Sequence, residues 1–448
     1  MHGDILKKFL GAEDLRKFSA SFFADPKNVL AMNSVTQNGI ASASISRSEV
    51  DRMNFMFSDL IDSPEATNQE RSGRCWLFSG LSLLALEAMR KLNLKTFELS
   101  EIYQMFWDKL EKANYFLENV IETMNEPLDG REVSLLLADP LSDGGQWNMF
   151  VNLVKKYGVL PKTYMPETYN SSNSEAMNTL LTSKLREYAK DLREMNGSPP
   201  DELRERKEAF LEEFFRMLCI HLGTPIREFY WEWRDKDNEF HRRGTMTPLN
   251  FFDEYVGMNL DDMVSLINAP TSDKPYNKIY TVRFLGNVIG GKDSHYLNVD
   301  ILVMKEAIID MIKNKHAVWF GCDVGKMLQT ELGAMDLNIY DYESVLETKF
   351  RLDKASRLDY GDSEMTHAMV ITGVDLDDQG KPRKWRVENS WGSKIGDKGY
   401  MYMMDEWFDE YIYEAVVRKE CLSEDLLSVL DSEPVVLPPW DPMGKLAR

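Results

Sequence analysis

The sequence predicts an α+β protein in which helical stripes carry the first half and strand-like runs dominate beyond Ile279. From Cys75 to Leu92 apolar residues recur at helical spacing, with Leu77, Leu81, Leu84 and Ala88 on one stripe. Between Ser174 and Leu222 two charged amphipathic segments flank a Gly-Ser-Pro-Pro break. After Ile279 short runs rich in β-branched and aromatic residues alternate with turn residues. With 43% hydrophobic and 11% aromatic residues over 448 positions, the chain has ample material for a core. Disorder is therefore excluded as its general state. At roughly 100–200 residues per domain, the length accommodates several domains or one large domain with insertions.

In chain order, the segment up to Asp62 is polar and mixed, with a short helix expected at Ala12 to Phe23 between the start and the Asp25-Pro26 breaker. The helix from Cys75 to Leu92 follows, with Cys75 in its first turn. Asp143-Gly144-Gly145-Gln146-Trp147 reads as a tight turn that opens an amphipathic helix to about Tyr157. Met177, Leu181, Leu185, Tyr188, Leu192 and Met195 then form one apolar face, and Asp201 opens a second helix to Leu222. This pair is an αα-hairpin. Strands are expected at Ile279–Phe284, Tyr296–Val299, Ala317–Cys322, Ala368–Val374 and Lys384–Val387. The last stretch, from Pro434, is Pro-rich and ends in a short polar tail.

Composition excludes several function classes. The 53 Lys+Arg against 73 Asp+Glu leave a net charge of −20, which disfavours nucleic acid as a partner. No stretch approaches the ~18 apolar residues of a membrane span, and the N-terminus has no h-region. Cys75, Cys219, Cys322 and Cys421 lie far apart without a CxxC pair, so neither a structural zinc site nor a disulfide framework is expected. These features describe a protein of a reducing compartment.

Cys75 is the first candidate for chemistry. A thiol at a helix N-terminus feels the positive end of the macrodipole, which favours thiolate. Gly73 lets the backbone approach closely, and Gln69 offers an amide donor. A nucleophilic cysteine needs a base and a group that orients it. Of six histidines, His2, His221 and His241 suit solvated or structural roles and His316 begins a strand after Lys315, whereas His295 and His367 both introduce apolar strands and are the serious candidates. Asp375 to Gly380 is a strong turn signal, and the midpoint between positions 367 and 389 falls at Asp378. An antiparallel hairpin would set Asn389 across from His367 as its orienting partner, with Trp391 shielding their bond from water. His367 is the better base.

Gln69, Cys75-Trp76, His367-Ala368 and Asn389-Ser390-Trp391-Gly392, in that order, resemble the papain-like cysteine peptidases. Within them the chain is most similar to the bleomycin hydrolase/aminopeptidase C branch. That resemblance rests on Asp143 to Trp147, His295 to Asp300, Trp319 to Lys326 and Trp440 to Gly444, and it runs over nearly the whole chain. Secreted papain relatives carry a cysteine three residues before the nucleophile, paired to one just before the Gly-Gly turn. The matching positions here are Ser72 and Ser142, as suits a reducing cytoplasm.

The resemblance implies a papain-like two-lobe core with a helical insertion and a C-terminal arm. Its parts would be an N-terminal extension (1–68), a helical lobe with the nucleophile (69–170), the insertion (171–260), a β-rich lobe with His and Asn (261–420) and the arm (421–448). It further implies Cys75 as nucleophile, His367 as acid and base, Asn389 as orienter, and Gln69 with the Cys75 backbone N–H as oxyanion donors. Gly144, Gly145 and Trp391 would line the substrate cleft, and Ala447 and Arg448 of the arm would meet the substrate's free amine. No cofactor or metal is needed. The expected partners are peptide substrates and further copies of the chain in a cytoplasmic homohexamer, without a membrane.

Two competing activities are oligopeptide endopeptidase of the same fold and a nucleotide-binding protein. Gly286-Asn287-Val288-Ile289-Gly290-Gly291-Lys292 fits GxxxxGK, but Asp293 follows where a P-loop has Ser or Thr, and His295 to Val299 reads as a strand rather than a helix. No HExxH occurs, which weighs against a metallopeptidase.

Overall fold

The structure, a computed structural model, describes residues 9–446. The chain divides into two compact units, one formed by Met1–Asn54 with Asp336–Leu352 and the other by Phe55–Met335 with Asp353–Arg448. In the smaller unit the helix expected near Ala12 is α1 (Ala12–Ala24), followed by α2 (Pro26–Asn38), α3 (Ile40–Ser44) and α4 (Arg47–Arg52). Asp25-Pro26 is thus not only a stop. Asp25 accepts from the Lys27 N–H at 2.9 Å and Pro26 occupies the first helical position, so the same dipeptide starts α2. An Ile45–Tyr340 bridge joins the two segments of this unit.

The larger unit begins with β1 (Asp59–Leu60) and the helices α5 (Cys75–Leu92), α6 (Glu101–Glu122), α7 (Arg131–Ala138) and α8 (Trp147–Tyr157). α5 is buried along its Leu77, Leu81, Leu84 and Ala88 stripe and on most of its other faces. Short α9 (Tyr169–Ser172) leads to α10 (Glu175–Glu194) and α11 (Pro200–Leu222). The periodic residues Met177, Leu181, Leu185, Tyr188 and Leu192 are all buried, and Tyr188 stacks on Phe210 of α11 at 4.1 Å. This is the expected αα-hairpin.

The strands β2 (Phe229–Arg234) and β3 (Phe240–Met246) form a separate hairpin. The main sheet comprises β4 (Met263–Ile267), β5 (Lys278–Val282), β6 (Tyr296–Asn298), β7 (Val318–Cys322), β8 (Leu328–Gln329), β9 (Ala334–Met335), β10 (His367–Leu376), β11 (Pro382–Glu388), β12 (Tyr400–Met404), β13 (Ile412–Arg418) and β14 (Val435–Leu437). Its order is β14-β5-β6-β4-β13-β7-β10-β11-β12-β9-β8, with β1 beside β10. Helices precede sheet along the chain, which makes the fold α+β. The Gly286 to Lys292 segment is a loop between β5 and β6, with no helix after it, so the P-loop alternative fails on geometry.

β10 is the central element for the site. α5 packs on it, with Ser79 Oγ donating to the Ala368 carbonyl at 3.1 Å. The β10–β11 register differs from the symmetric hairpin. Val370 faces Glu388, so the ladder extended past its end sets Met369, not His367, against Asn389. The irregularities between Ile371 and Gly373 and between Asp375 and Leu376 cancel, so the offset is set at the turn, where Leu376 already pairs with Pro382 about a centre at Gln379. His367 and Met369 share a face, so the imidazole reaches Asn389 diagonally.

Several carboxyls are buried in this unit without full charge compensation. Burial pushes Glu414 of β13 up to about 8, and Glu388 up to about 7. A carboxyl raised above its unfolded value stabilises the fold at low pH, and that contribution is lost as pH rises through the folded pKa. The melting temperature is therefore expected to fall from about pH 4.5, the ordinary glutamate value, to about pH 8, where Glu414 has titrated in the folded state. Glu414→Gln should flatten that fall in a thermal scan series; an equally steep fall would exclude Glu414 as a source.

Candidate active site

α5 delivers Cys75 and β10 delivers His367, and the two elements pack together. The N–H of Ala368, next to His367, donates to Cys75 Sγ at 3.3 Å. His367 Nε2 lies 2.9 Å from Asn389 Oδ1, and both residues are buried. The Ser390 N–H donates to the same Oδ1 at 2.8 Å, which fixes that atom as the oxygen. A carbonyl oxygen only accepts, so Nε2 carries the proton and Nδ1 is left as the basic nitrogen. The half-buried Trp391 ring lies 4.9 Å from the imidazole, tilted by 38°.

Gln69 joins the same cluster. Its backbone N–H donates to the Ser390 carbonyl at 2.8 Å, and its Oε1 accepts from Ser390 Oγ at 2.6 Å. Its Nε2 donates to the Ser72 carbonyl at 2.5 Å, using one of the two amide hydrogens. The Asn68–Trp391 bridge and the Gly392 N–H on the Thr67 carbonyl at 2.9 Å tie the two loops together. Gln69, Cys75, His367, Asn389 and Trp391 therefore meet in one place although 321 positions separate Gln69 from Ser390.

The electrostatics modify the expectation for the thiol. Burial pushes Cys75 up to about 12, against the lowering by the N–H groups of Ala368, Trp76 and Cys75 itself. The helix N-terminus acts in the expected direction but desolvation outweighs it. A thiolate here needs a cation beside it, which an imidazolium at His367 supplies.

Gly144 and Gly145 are both buried. A Cβ on Gly145 would sit 2.4 Å from the Trp76 indole, so this position demands glycine for close approach and is more than a turn. The neighbouring Gln146 donates through Nε2 to the Lys445 carbonyl at 2.5 Å. The arm is anchored upstream by a buried Lys274–Asp441 pair at 2.9 Å, and Lys445 pairs with Glu364 at 3.2 Å. It thus runs between Gln146 and a residue just before His367. A cavity of about 570 Å³ lined by Ser142, Met149, Met365 and Leu446 lies along it. Ala447 and Arg448 lie outside the described residues.

Some contributors had no sequence signal. Asp143 was legible only as a turn residue, yet it accepts from the Gly73 N–H at 3.0 Å. Arg74 is buried and makes a bidentate pair with Glu167 at 3.0 and 2.8 Å, steadying the segment before Cys75. His295 is half-buried and its pKa is lowered by burial. All four cysteines are free thiols, and Ser72 donates to the Gln69 carbonyl at 2.7 Å. Among the described residues no helix is long and apolar enough to cross a membrane.

Residues 9–444 match the model of the peptidase C1-like family. Aminopeptidase C of Streptococcus thermophilus is 44% identical over 440 residues, covering 98% of this chain and 99% of that protein. Bleomycin hydrolase of Homo sapiens is 44% identical over 450 residues, with 98% and 99% covered. The crystal structure of PepW from Lactobacillus rhamnosis HN001 superposes with a TM-score of 0.96 at 45% identity, covering 98% of this chain and 99% of that one. With a matched family model spanning nearly its full length and relatives of this similarity, the chain belongs to the peptidase C1-like family, alongside the aminopeptidases C and bleomycin hydrolases.

Proposed function

We propose that the protein is a cysteine aminopeptidase that removes N-terminal residues from peptides through Cys75, His367, Asn389 and Gln69. The observation that carries this reading is the Asn389-held imidazole on the strand whose next N–H meets Cys75 Sγ. Cys75 gives its proton to His367, its Sγ attacks the scissile carbonyl carbon, and the carbonyl electron pair moves onto oxygen. The Cys75 backbone N–H and the second Gln69 amide hydrogen stabilise that oxyanion. Collapse breaks the C–N bond, and the leaving amine takes the proton from His367. Water then attacks the thioester, gives its proton to His367 and releases the acid with the thiol restored.

Exopeptidase action is supported by the arm's course between Gln146 and Glu364. We read Gly144, Gly145 and Trp391 as cleft residues, and the terminal carboxylate beyond Leu446 as the partner of the substrate's ammonium. Such a charge-assisted bond is worth about 1.5–3 kcal/mol. Arg448 would place a positive side chain near that ammonium, so either self-trimming to Ala447 or a weakened preference is expected; intact mass after incubation reads the trimming. The test of the gate is deletion of residues 445–448. The intact enzyme should prefer free-amine over N-blocked peptides, and the truncated form should gain cleavage of blocked ones. Equal cleavage of blocked peptides by both forms would leave the endopeptidase reading in its place.

We read the αα-hairpin within 171–260 as an insertion into the peptidase core. A cytoplasmic setting accords with the four unpaired cysteines, and a homohexamer is expected by resemblance to the family, to be checked by sedimentation.

A further inference from the structure

One buried carboxylate ties the nucleophile's turn to distant parts of the larger unit. Asp143 Oδ2 accepts from the Gly73 N–H at 3.0 Å, two positions before Cys75, and from the Ser174 hydroxyl. Its Oδ1 accepts from Lys109 Nζ at 2.6 Å and from Asn178 Nδ2 at 2.8 Å. Its backbone carbonyl accepts from Trp76 Nε1 at 2.7 Å. Lys109 belongs to α6, while Ser174 immediately precedes α10, the first helix of the αα-hairpin, and Asn178 lies in its first turn. Immediately downstream, the Gly144 carbonyl accepts from Lys112 Nζ at 2.6 Å and Gly145 lies against the Trp76 indole.

These contacts leave little freedom to the Gly73–Cys75 turn or to the Gly144–Gly145 segment. We propose that Asp143 is a positioning residue for hydrolysis, which holds the nucleophile's turn against the glycine segment and makes α10 part of the active site. This rests on the reading of Cys75 as nucleophile. The Cys75 backbone N–H takes its direction from the first turn of α5, and a misplacement of about 1 Å costs on the order of 10²-fold in rate. An ionised acceptor holds such a turn more firmly than a neutral one. Burial opposes ionisation of Asp143, yet Lys109, Ser174 and Asn178 together hold its carboxyl well below the usual carboxylate range. The same negative charge raises the Cys75 thiol, so the clasp orients the nucleophile at some cost to its ionisation.

The test compares wild type with Asp143→Asn, Asp143→Ala and the double variant Ser174→Ala/Asn178→Ala. The readouts are kcat and KM on a free-amine peptide, the pH profile, the melting temperature and the Cys75 alkylation rate. Asp143→Ala should lose about 10²-fold in kcat with KM changed by less than about threefold. Asp143→Asn should recover part of that loss, because an amide oxygen can still accept from Gly73, and its acid limb should move to lower pH. The double variant keeps Asp143 and should lower kcat about three- to tenfold when assayed well below its own, somewhat lowered, melting temperature. If Asp143→Ala does not fold, the double variant and Asp143→Asn decide. Wild-type kcat in the double variant, or an Asp143→Asn profile without a shifted limb, overturns the proposal. Activity that survives complete alkylation of Cys75 in the wild type instead overturns the nucleophile reading.

Discussion

Cys75→Ala should abolish peptide hydrolysis, by about 10⁴-fold or more, with the melting temperature close to that of wild type. The side chain is fully buried but small, and alanine removes little packing. Thiol ionisation alone does not single out Cys75. Burial raises Cys322 well above the usual thiol range, raises Cys219, and pushes Cys421 up to about 12, just as it does Cys75. What distinguishes Cys75 is its place at the start of α5, with the Ala368 N–H on its sulfur and an oriented imidazole on the adjoining residue. Substitution of Cys219 or Cys421 by Ser should therefore leave turnover within about twofold of wild type. Activity surviving in Cys75→Ala, measured with a peptide whose released N-terminal residue is quantified, would remove the mechanism.

The second large effect concerns the base. His367→Ala should cost about 10²–10⁴-fold in kcat, the usual worth of a positioned proton-transfer group. Asn389→Ala should cost about tenfold less than that, because it misaligns the ring rather than removing it. The loss should fall on kcat more than on KM. In wild type the acid limb of the pH–rate profile belongs to the thiolate–imidazolium pair as a unit. Burial raises the thiol and the neighbouring N–H groups offset this only in part, so ionisation leans on the imidazolium and Asn389→Ala should displace that limb as well as lower the plateau. Equal losses in folded His367→Ala and Asn389→Ala proteins would show that Asn389 does more than orient.

How far the sequence discloses this site depends on how local each cause is. α5 was legible to its ends because its stripe and the following Asn93, which takes the left-handed conformation, are local features. The His367–Asn389 contact was legible through turn chemistry, which places two strands opposite each other. The register was off by two residues because the turn centres on Gln379 rather than Asp378, a one-residue difference that turn residue types alone do not fix. Strands β4 and β13 are short and wholly or almost wholly buried, and such runs carry no alternation by which to recognise them. Asp143 was invisible as a clasp for another reason. Its bonds to Gly73 and Ser174 span 70 and 31 positions, and nothing in Asp-Gly-Gly distinguishes a turn from an anchored carboxylate.

In the proposed mechanism one thiol, Cys75, performs the chemistry. The most direct measurement is intact mass after treatment with a thiol-alkylating peptidase inhibitor at sub-saturating time points, followed by peptide mapping and parallel activity assays. One adduct per chain is expected, located on Cys75, with activity lost in proportion to its occupancy. An adduct confined to Cys219, Cys322 or Cys421 while activity disappears, or full activity with Cys75 alkylated, would contradict it.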